Sequence, residues 1–388
     1  MKILFVAHNS LLSGGANRSL LMILKQLRST YGVDCHVLVP KEKGALVDVL
    51  KKEGFYYITP VIPYYGVISG FNNDGKDWQR RIKVWIGALI EVIGSKLLIP
   101  KLRKEKYNLI YTNTRVPMIG ALLARELRLK HICHVRELGP EHPYWPFWGC
   151  KEVYNNADAL ILISRAVKQQ FVLETPEEKL HVIHNGIESS MALGIAPKVK
   201  GPWFEVLITA RLMEDKGQLE AIKALELLAE RGYHDIRIHL AGSVRNAAFN
   251  SKYIEEVKQF IKSHNLEKQV VFHGEVKDMI SLRRKMHCEL ICSKCETFGR
   301  VTVEGMRSGL AIIGSNTGGT VEIIENGKTG LLYQQGNPED LADKIEKVYL
   351  DREYMKMLAK QGYEYSQNHF TAEQNVSEIW KVIQEVVK

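Results

Sequence analysis

Apolar residues in the first half of the chain come in short runs that alternate with stretches of helical period. Residues 2–8, 33–40, 107–114 and 131–137 read as strands, and 16–30, 45–54 and 117–128 read as amphipathic helices between them. Such alternation marks βαβ units and hence a parallel sheet. Two more strands are predicted at 159–164 and 180–184. The pattern lapses over 194–202, which contains Pro197 and the dipeptide Gly201-Pro202, and a domain boundary is placed there. It restarts with strands at 204–210, 236–241, 270–274, 290–293 and 311–315, and helices at 217–231 and 253–264. The stretch 371–388 sets Val376, Ile379, Trp380, Ile383 and Val386 at helical spacing, so it docks against another element. The expectation is an α/β protein of two doubly wound, Rossmann-like domains, residues 1–197 and 198–370, with the last helix packing back on the first. Ligands of such sheets lie outside the carboxyl ends of the strands, here in the cleft between two facing domains.

One stretch breaks the alternation. Residues 80–106 mix Trp85, Leu89, Ile93 and Leu97 with Arg80, Arg81, Lys83, Lys96, Lys101, Arg103 and Lys104, and Glu91 and Lys96 interrupt it too soon for a bilayer span. Two readings fit: a basic amphipathic helix lying on an anionic membrane surface, or the solvated face of a packed helix.

Composition narrows the class. With 388 residues, 45% hydrophobic and 25% charged, the chain has the balance of a globular protein of two domains. A formal charge of +9 favours anionic partners, but the Lys and Arg residues are dispersed and no nucleic-acid-binding motif appears. The six cysteines are scattered apart from Cys292 and Cys295, and the apolar run after Lys2 stops at His8, short of a signal peptide. A reducing, cytoplasmic setting is therefore expected. The Cys-x-x-Cys lacks a second pair to complete a zinc site, and no metal is assigned to it.

Candidate chemistry gathers at strand ends. The first strand runs into Gly14-Gly15 before a helix, where backbone N–H groups could cradle a phosphate or simply make a turn. Neither the Gly-x-Gly-x-x-Gly nor the P-loop pattern is met, which disfavours a dehydrogenase. In the second domain Arg211 and Lys216 emerge at the carboxyl edge of the first strand, where together they could neutralise a pyrophosphate leaving group. The next strand ends in Ala241-Gly242-Ser243. Then Glu296 precedes, and Glu304 lies about one turn inside, a helix entered through Phe298-Gly299, a place for two carboxylates to accept sugar hydroxyls beside free helix amides.

In order along the chain, Asn185-Gly186-Ile187, Ala210-Arg211-Leu212 with Lys216-Gly217, Ala241-Gly242-Ser243, Val271-Phe-His-Gly274-Glu-Val276, the E-x7-E element from Glu296 to Glu304, and Ser315-Asn-Thr-Gly318-Gly319-Thr-Val-Glu322 resemble glycosyltransferase family 4. The resemblance covers essentially the whole chain, most densely over 185–332. It implies the GT-B fold and retaining transfer from a nucleotide-sugar without a metal or other cofactor, with which the absence of any Asp-x-Asp agrees. It further implies that Arg211 and Lys216 hold the donor diphosphate, that Glu296 binds hydroxyls of the donor sugar, and that Glu304 binds the ribose. Backbone groups at Phe298, Gly299 and Arg300 would meet sugar or phosphates. Gly242 and Ser243 would belong to the same donor site, Val276 would border the base, and Gly14-Gly15 would close over the diphosphate.

The departure from the family lies in the strand ending His134-Val135-Arg136-Glu137. Many members place a His near the reacting carbon there; here Arg136 takes that place, Glu137 follows, and His134 lies two residues earlier. Arg136 either meets a phosphate of donor or acceptor, or pairs with Glu137 or another neighbour. The expected activity is transfer of a hexose or N-acetylhexosamine, from a uridine-diphosphate sugar, to a glycan or lipid-linked acceptor at the cytoplasmic side of a membrane. A nucleotide-sugar epimerase of the same fold and a non-catalytic sugar-nucleotide-binding protein are the rivals.

Overall fold

Among the described residues, thirteen short strands supply two parallel sheets. The structure, a computed structural model, describes residues 1–12, 15–64, 77–138, 157–173, 175–188, 201–244 and 247–388. In the first sheet the strands are β1 (Lys2–Val6), β2 (Asp34–Leu38), β3 (Tyr56–Ile58), β4 (Leu109–Thr112), β5 (Lys130–Val135), β6 (Ala159–Leu162) and β7 (Leu180–Val182), ordered β3-β2-β1-β4-β5-β6-β7. Its helices include α1 (Gly15–Tyr31), α2 (Ala45–Lys52), α3 (Asp77–Glu105) and α4 (Ile119–Leu127). Successive residues of β1 enter opposite cores: Ile3 and Phe5 pack with α1, while Leu4 and Val6 pack with Leu98, Leu102, Ile119 and Leu123 of α3 and α4. A sheet covered on both faces needs apolar residues at every position, which is why these strands read as continuous runs.

The second sheet comprises β8 (Phe204–Thr209), β9 (Ile236–Ala241), β10 (Val270–Gly274), β11 (Cys288–Ile291), β12 (Ala311–Ser315) and β13 (Leu331–Tyr333), ordered β10-β9-β8-β11-β12-β13. Its order reverses between β8 and β11, the kind of switch point at which open α/β sheets bind ligands.

Met1–Gly186 with Ala372–Lys388 forms one compact unit, and Ile187–Thr371 the other. The division falls earlier than the lapse in the sequence pattern around Pro197, which lies outside the described residues. Packing explains the position. Ile187 is fully buried and its N–H donates to the Phe370 carbonyl at 2.9 Å, while the Arg307 guanidinium, itself 1% exposed, donates to the carbonyls of Ile187, Glu188, Ser366 and Phe370 at 2.8–3.4 Å. Carbonyl oxygens at the end of helix Arg352–His369 are favourable company for a buried cation. Both ends of the second unit are thus tied to one side chain.

The final helix, Ala372–Val387, joins the first domain's core through Val376, Ile379, Val382 and Ile383, with the Tyr31 ring stacked on Trp380 at 4.8 Å. At about 1.5–3 kcal/mol for each large buried apolar side chain, its docking is worth of order 10 kcal/mol before ordering entropy.

Helix α3 meets α4 through an uncommon cap. The fully buried Glu91 carboxylate accepts the Ile119 N–H at 2.9 Å, at the start of α4. Helix amides favour the charged form, but burial outweighs them and pushes the carboxyl up to about 8 from an ordinary 4.5. The folded chain therefore holds this proton more tightly than the unfolded chain. The stability it contributes is full below pH 4.5 and is lost as pH rises through about 8. In that window Glu91→Gln should remove a slope approaching roughly 1.4 kcal/mol per pH unit. Urea unfolding of wild type and variant across the window measures it; parallel pH profiles would contradict the assignment.

Candidate functional site

The switch point of the second sheet is where the sequence-expected side chains meet. Beyond β8, a left-handed Gly217 (φ 69) follows the short turn Glu214–Lys216 and opens helix Gln218–Glu230. A Cβ at Gly217 would stand 2.0 Å from the Cys292 carbonyl oxygen, so only glycine lets the β8 loop lie against the end of β11. The contact is reinforced by the Lys294 N–H, which donates to the Asp215 carbonyl at 2.9 Å. Cys292 is buried here, a small side chain packed beneath the loop.

This approach delivers Lys216 to Glu296. The ammonium lies 2.7 Å from Glu296 Oε1, and the Ser293 hydroxyl donates to the same oxygen at 2.5 Å. Both charged side chains are largely shielded, with 16% and 24% exposure. Such a charge-assisted pair is stronger than a surface ion pair and fixes the carboxylate's orientation. From the other side, the Gly319 N–H donates to the Glu296 carbonyl at 2.7 Å, and Cβ atoms at Gly318 and Gly319 would fall 2.4 Å from Glu296 O and 2.6 Å from Phe298 Cα. The Ser315 hydroxyl holds the Ser293 carbonyl at 2.8 Å.

Phe298 turns inward, 2% exposed and edge-on to Phe370, so its ring belongs to the core and only its backbone borders the site. Gly299 (φ 96) then starts helix Arg300–Arg307, whose first turn presents amides lacking intrahelical partners. Inside that helix, Glu304 Oε1 accepts from Arg300 Nε at 3.3 Å, and Oε2 lies 3.5 Å from Arg283 Nη1. Arg283 is itself clasped by Glu289, Nε to Oε2 at 2.9 Å and Nη2 to Oε1 at 3.1 Å, in a fully buried bidentate pair. Gly305 makes room for it, since a Cβ there would sit 2.6 Å from Glu289 Oε2. Ser293, Arg283 and Glu289 escaped the sequence reading. Arg283 and Glu289 lie six residues apart on different elements, a spacing that no periodic pattern reports.

The other expected donor residues line the same sheet edge. Arg211 stands exposed just past β8. The Gly242 N–H donates to the Gly274 carbonyl at 2.8 Å, and a Cβ on Gly242 would collide with the Ala210 carbonyl at 1.8 Å. Ser243 follows, its carbonyl accepting the Leu212 N–H at 3.3 Å, and Val276 sits half-buried past β10. Gly14 lies outside the described residues, and Gly15 opens α1.

The first domain gathers a separate polar cluster at the carboxyl ends of β1, β4 and β5. Arg136 is 8% exposed and donates through Nε to Asn113 Oδ1 at 3.1 Å and through Nη1 to Asn185 Oδ1 at 2.5 Å. Its Nη2 lies 3.2 Å from His134 Nδ1, which the Tyr111 hydroxyl also meets at 2.5 Å. A guanidinium can only donate, so the single Nδ1 lone pair faces Arg136, with the Tyr111 hydroxyl beside it. Burial and the Arg136 charge hold the His134 imidazole well below its usual range. Fully buried and neutral, His134 braces the Arg136 guanidinium. Glu137 Oε2 accepts the backbone N–H groups of Arg136 and Arg115 at 3.0 and 3.3 Å, and burial raises its carboxyl despite the nearby cations. Beside them His8 is lowered to about 4 by burial and by Arg136, and is neutral near pH 7.

The second sheet therefore offers cations, a fixed carboxylate and helix amides at one edge, an arrangement suited to a sugar joined to a diphosphate. Comparison with known proteins agrees. Residues 13–190 match the model of "Glycosyltransferase Family 4" and residues 197–365 that of "Glycosyl transferases group 1". The chain is 26% identical over 291 residues, 74% of its length and 77% of the other's, to an uncharacterized glycosyltransferase, MJ1178, of Methanocaldococcus jannaschii. It is 25% identical over 230 residues to the capsular polysaccharide biosynthesis glycosyltransferase CapM of Staphylococcus aureus, covering 56% of this chain and 59% of that one. Among solved structures, Anabaena Alr3699/HepE in complex with UDP and glucose shares the fold with a TM-score of 0.76 at 23% identity over 99% of both chains. A glycosyltransferase from Rickettsia africae does so with 0.80 at 22% identity over 100% of this chain and 98% of that one. With two family models spanning nearly its whole length, the chain belongs to the family 4 glycosyltransferases of GT-B fold.

Proposed function

We propose that the chain moves a hexose or N-acetylhexosamine from a UDP-sugar to a glycan or lipid-linked acceptor, with retention at the anomeric carbon and without a metal, in the synthesis of cell-surface polysaccharide or glycolipid at the cytoplasmic side of a membrane. The observation that carries this reading is the Lys216–Glu296 pair at the switch point, set beside the first turn of helix Arg300–Arg307. UDP as the carrier is supported by the Anabaena protein, crystallised with UDP and with UDP-glucose, and a polysaccharide product by CapM.

In this reading Lys216 and Arg211 face the diphosphate and neutralise the charge that grows on it as the glycosidic bond breaks. Helix amides at Gly299 and Arg300 add to the same field. Glu296, one oxygen fixed by Lys216 and Ser293, offers the other to hydroxyls of the sugar. Glu304, steadied by Arg283 and Arg300, accepts from the ribose diol, Gly242 and Ser243 border the donor, and Val276 borders the base. The leaving phosphate takes the acceptor's proton, so no side-chain base is required. On the first domain, Arg136 meets a phosphate of donor or acceptor.

Lys216→Ala and Glu296→Ala are each expected to lower transfer by about 10²-fold or more with the fold intact, since each removes an electrostatic contact made to the reacting portion of the donor. Turnover is measured with the donor picked from a nucleotide-sugar panel by thermal stabilisation. Wild-type rates in either variant would sink the assignment. Chelator-resistant transfer and an unchanged anomeric coupling in the product check the metal and stereochemical parts.

The two ends of the Arg283 network should separate cleanly. Glu304→Gln is expected to raise the donor KM about tenfold at near-normal stability. Arg283→Met strands Glu289 in the core, and urea unfolding should report a loss of about 3–5 kcal/mol.

A further inference from the structure

Helix α3 is apolar on two opposite sides. Toward its domain it buries Ala88, Leu98 and Leu102 along with Glu91 and Ser95. Away from it, Ile82, Trp85, Ile86, Leu89, Ile93 and Leu97 are 43% to 58% exposed and return at helical spacing, so they form one outward stripe. At about 1.5 Å per residue the stripe runs roughly 22 Å. Isolated exposed hydrophobics are ordinary, but six large ones in a row on one face form a patch that water would not favour.

Charge says what covers it. Lys96 and Arg103 follow Leu89 at successive heptad steps, and Lys104 follows Leu97 likewise, so the same side ends in exposed cations, with exposed Lys101 adjoining. Acid is kept off it: Glu91 is fully buried on the opposite side, and Glu105 pairs with Lys2 at 3.1 Å. No helix among the described residues is long and apolar enough to cross a membrane. A helix with an aromatic and aliphatic stripe, a basic flank and no acid beside them among its described side chains is built to lie in an interface rather than span it. A second copy packed through this same face would bring more cations to it and no counter-charge.

We propose that the outer face of α3 docks the first domain flat on an anionic lipid bilayer, its apolar stripe entering the headgroup boundary while Lys96, Arg103 and Lys104 meet lipid phosphates. The inference stands on this surface alone and is independent of the donor and acceptor proposed above.

Co-sedimentation of the full chain with phosphatidylcholine vesicles, with and without phosphatidylglycerol, tests it, with light scattering to follow the oligomeric state. Wild type is expected to pellet with the anionic vesicles, to be released by salt, and to bind neutral vesicles weakly. Lys96→Ala and Lys104→Ala should each weaken binding about fivefold, and Leu89→Glu by about tenfold or more. The thermal melt, and its shift by nucleotide-sugar, should be unchanged in Leu89→Glu, so failure here is distinguishable from failure of the donor site. Three results would overturn the proposal. They are no binding of wild type to anionic vesicles, equal binding by a folded Leu89→Glu, or a wild-type dimer that Leu89→Glu converts to monomer without loss of vesicle binding.

Discussion

The donor edge of this protein depends on how closely backbone can approach backbone around residues 292–298. Gly217 lies against the Cys292 carbonyl on one side, and Gly318 and Gly319 lie against Glu296 and Phe298 on the other; a methyl group at any of the three would overlap a backbone atom. Held between them, the turn takes the path in which Glu296 meets Lys216 at 2.7 Å. The ion pair is thus a consequence of steric fit before it is an electrostatic one. Pre-organisation of this kind spares a binding site the reordering that a looser turn would require when substrate arrives.

A second layer supports Glu304. Burying Arg283 between Glu289 and Glu304 is unfavourable for each ion alone and tolerable only because both forks of the guanidinium are met. The first domain solves a related problem differently. Arg136 is met by two asparagine oxygens and a histidine nitrogen, neutral partners that hold the guanidinium in place. Its positive charge adds to burial in holding the nearby His8 imidazole down.

Much of this was legible in the sequence, for reasons that also explain the omissions. Strands buried on two faces and helices buried on one gave the alternation, and the motifs ending β8, β9 and β11 placed the donor residues at one edge. Tyr56–Ile58 and Leu331–Tyr333 were missed because three residues carry no periodicity. Helix 253–264 was begun too late, since its true start at Ala247 precedes the apolar stripe. The domain division was set by a lapse in pattern near Pro197, whereas the fold divides at Ile187, where Arg307 gathers carbonyls from distant segments. Residues 80–106 left two readings open because their pattern serves an inward and an outward face at once. His134 reads as a site candidate by position alone; its contacts with Tyr111 and Arg136 are long-range in the sequence or between near neighbours on a strand end, and no pattern reports them.

The return of Ala372–Val387 to the first domain has a consequence for how the chain is made. On the ribosome, the second domain is complete once Thr371 has emerged, while the first still lacks the helix that covers Leu20, Leu24 and Leu27 of α1. Domains fold as units during synthesis. The domain translated first is therefore the one finished last, and until then it keeps an apolar seam open that its own C-terminal segment must find before another chain does.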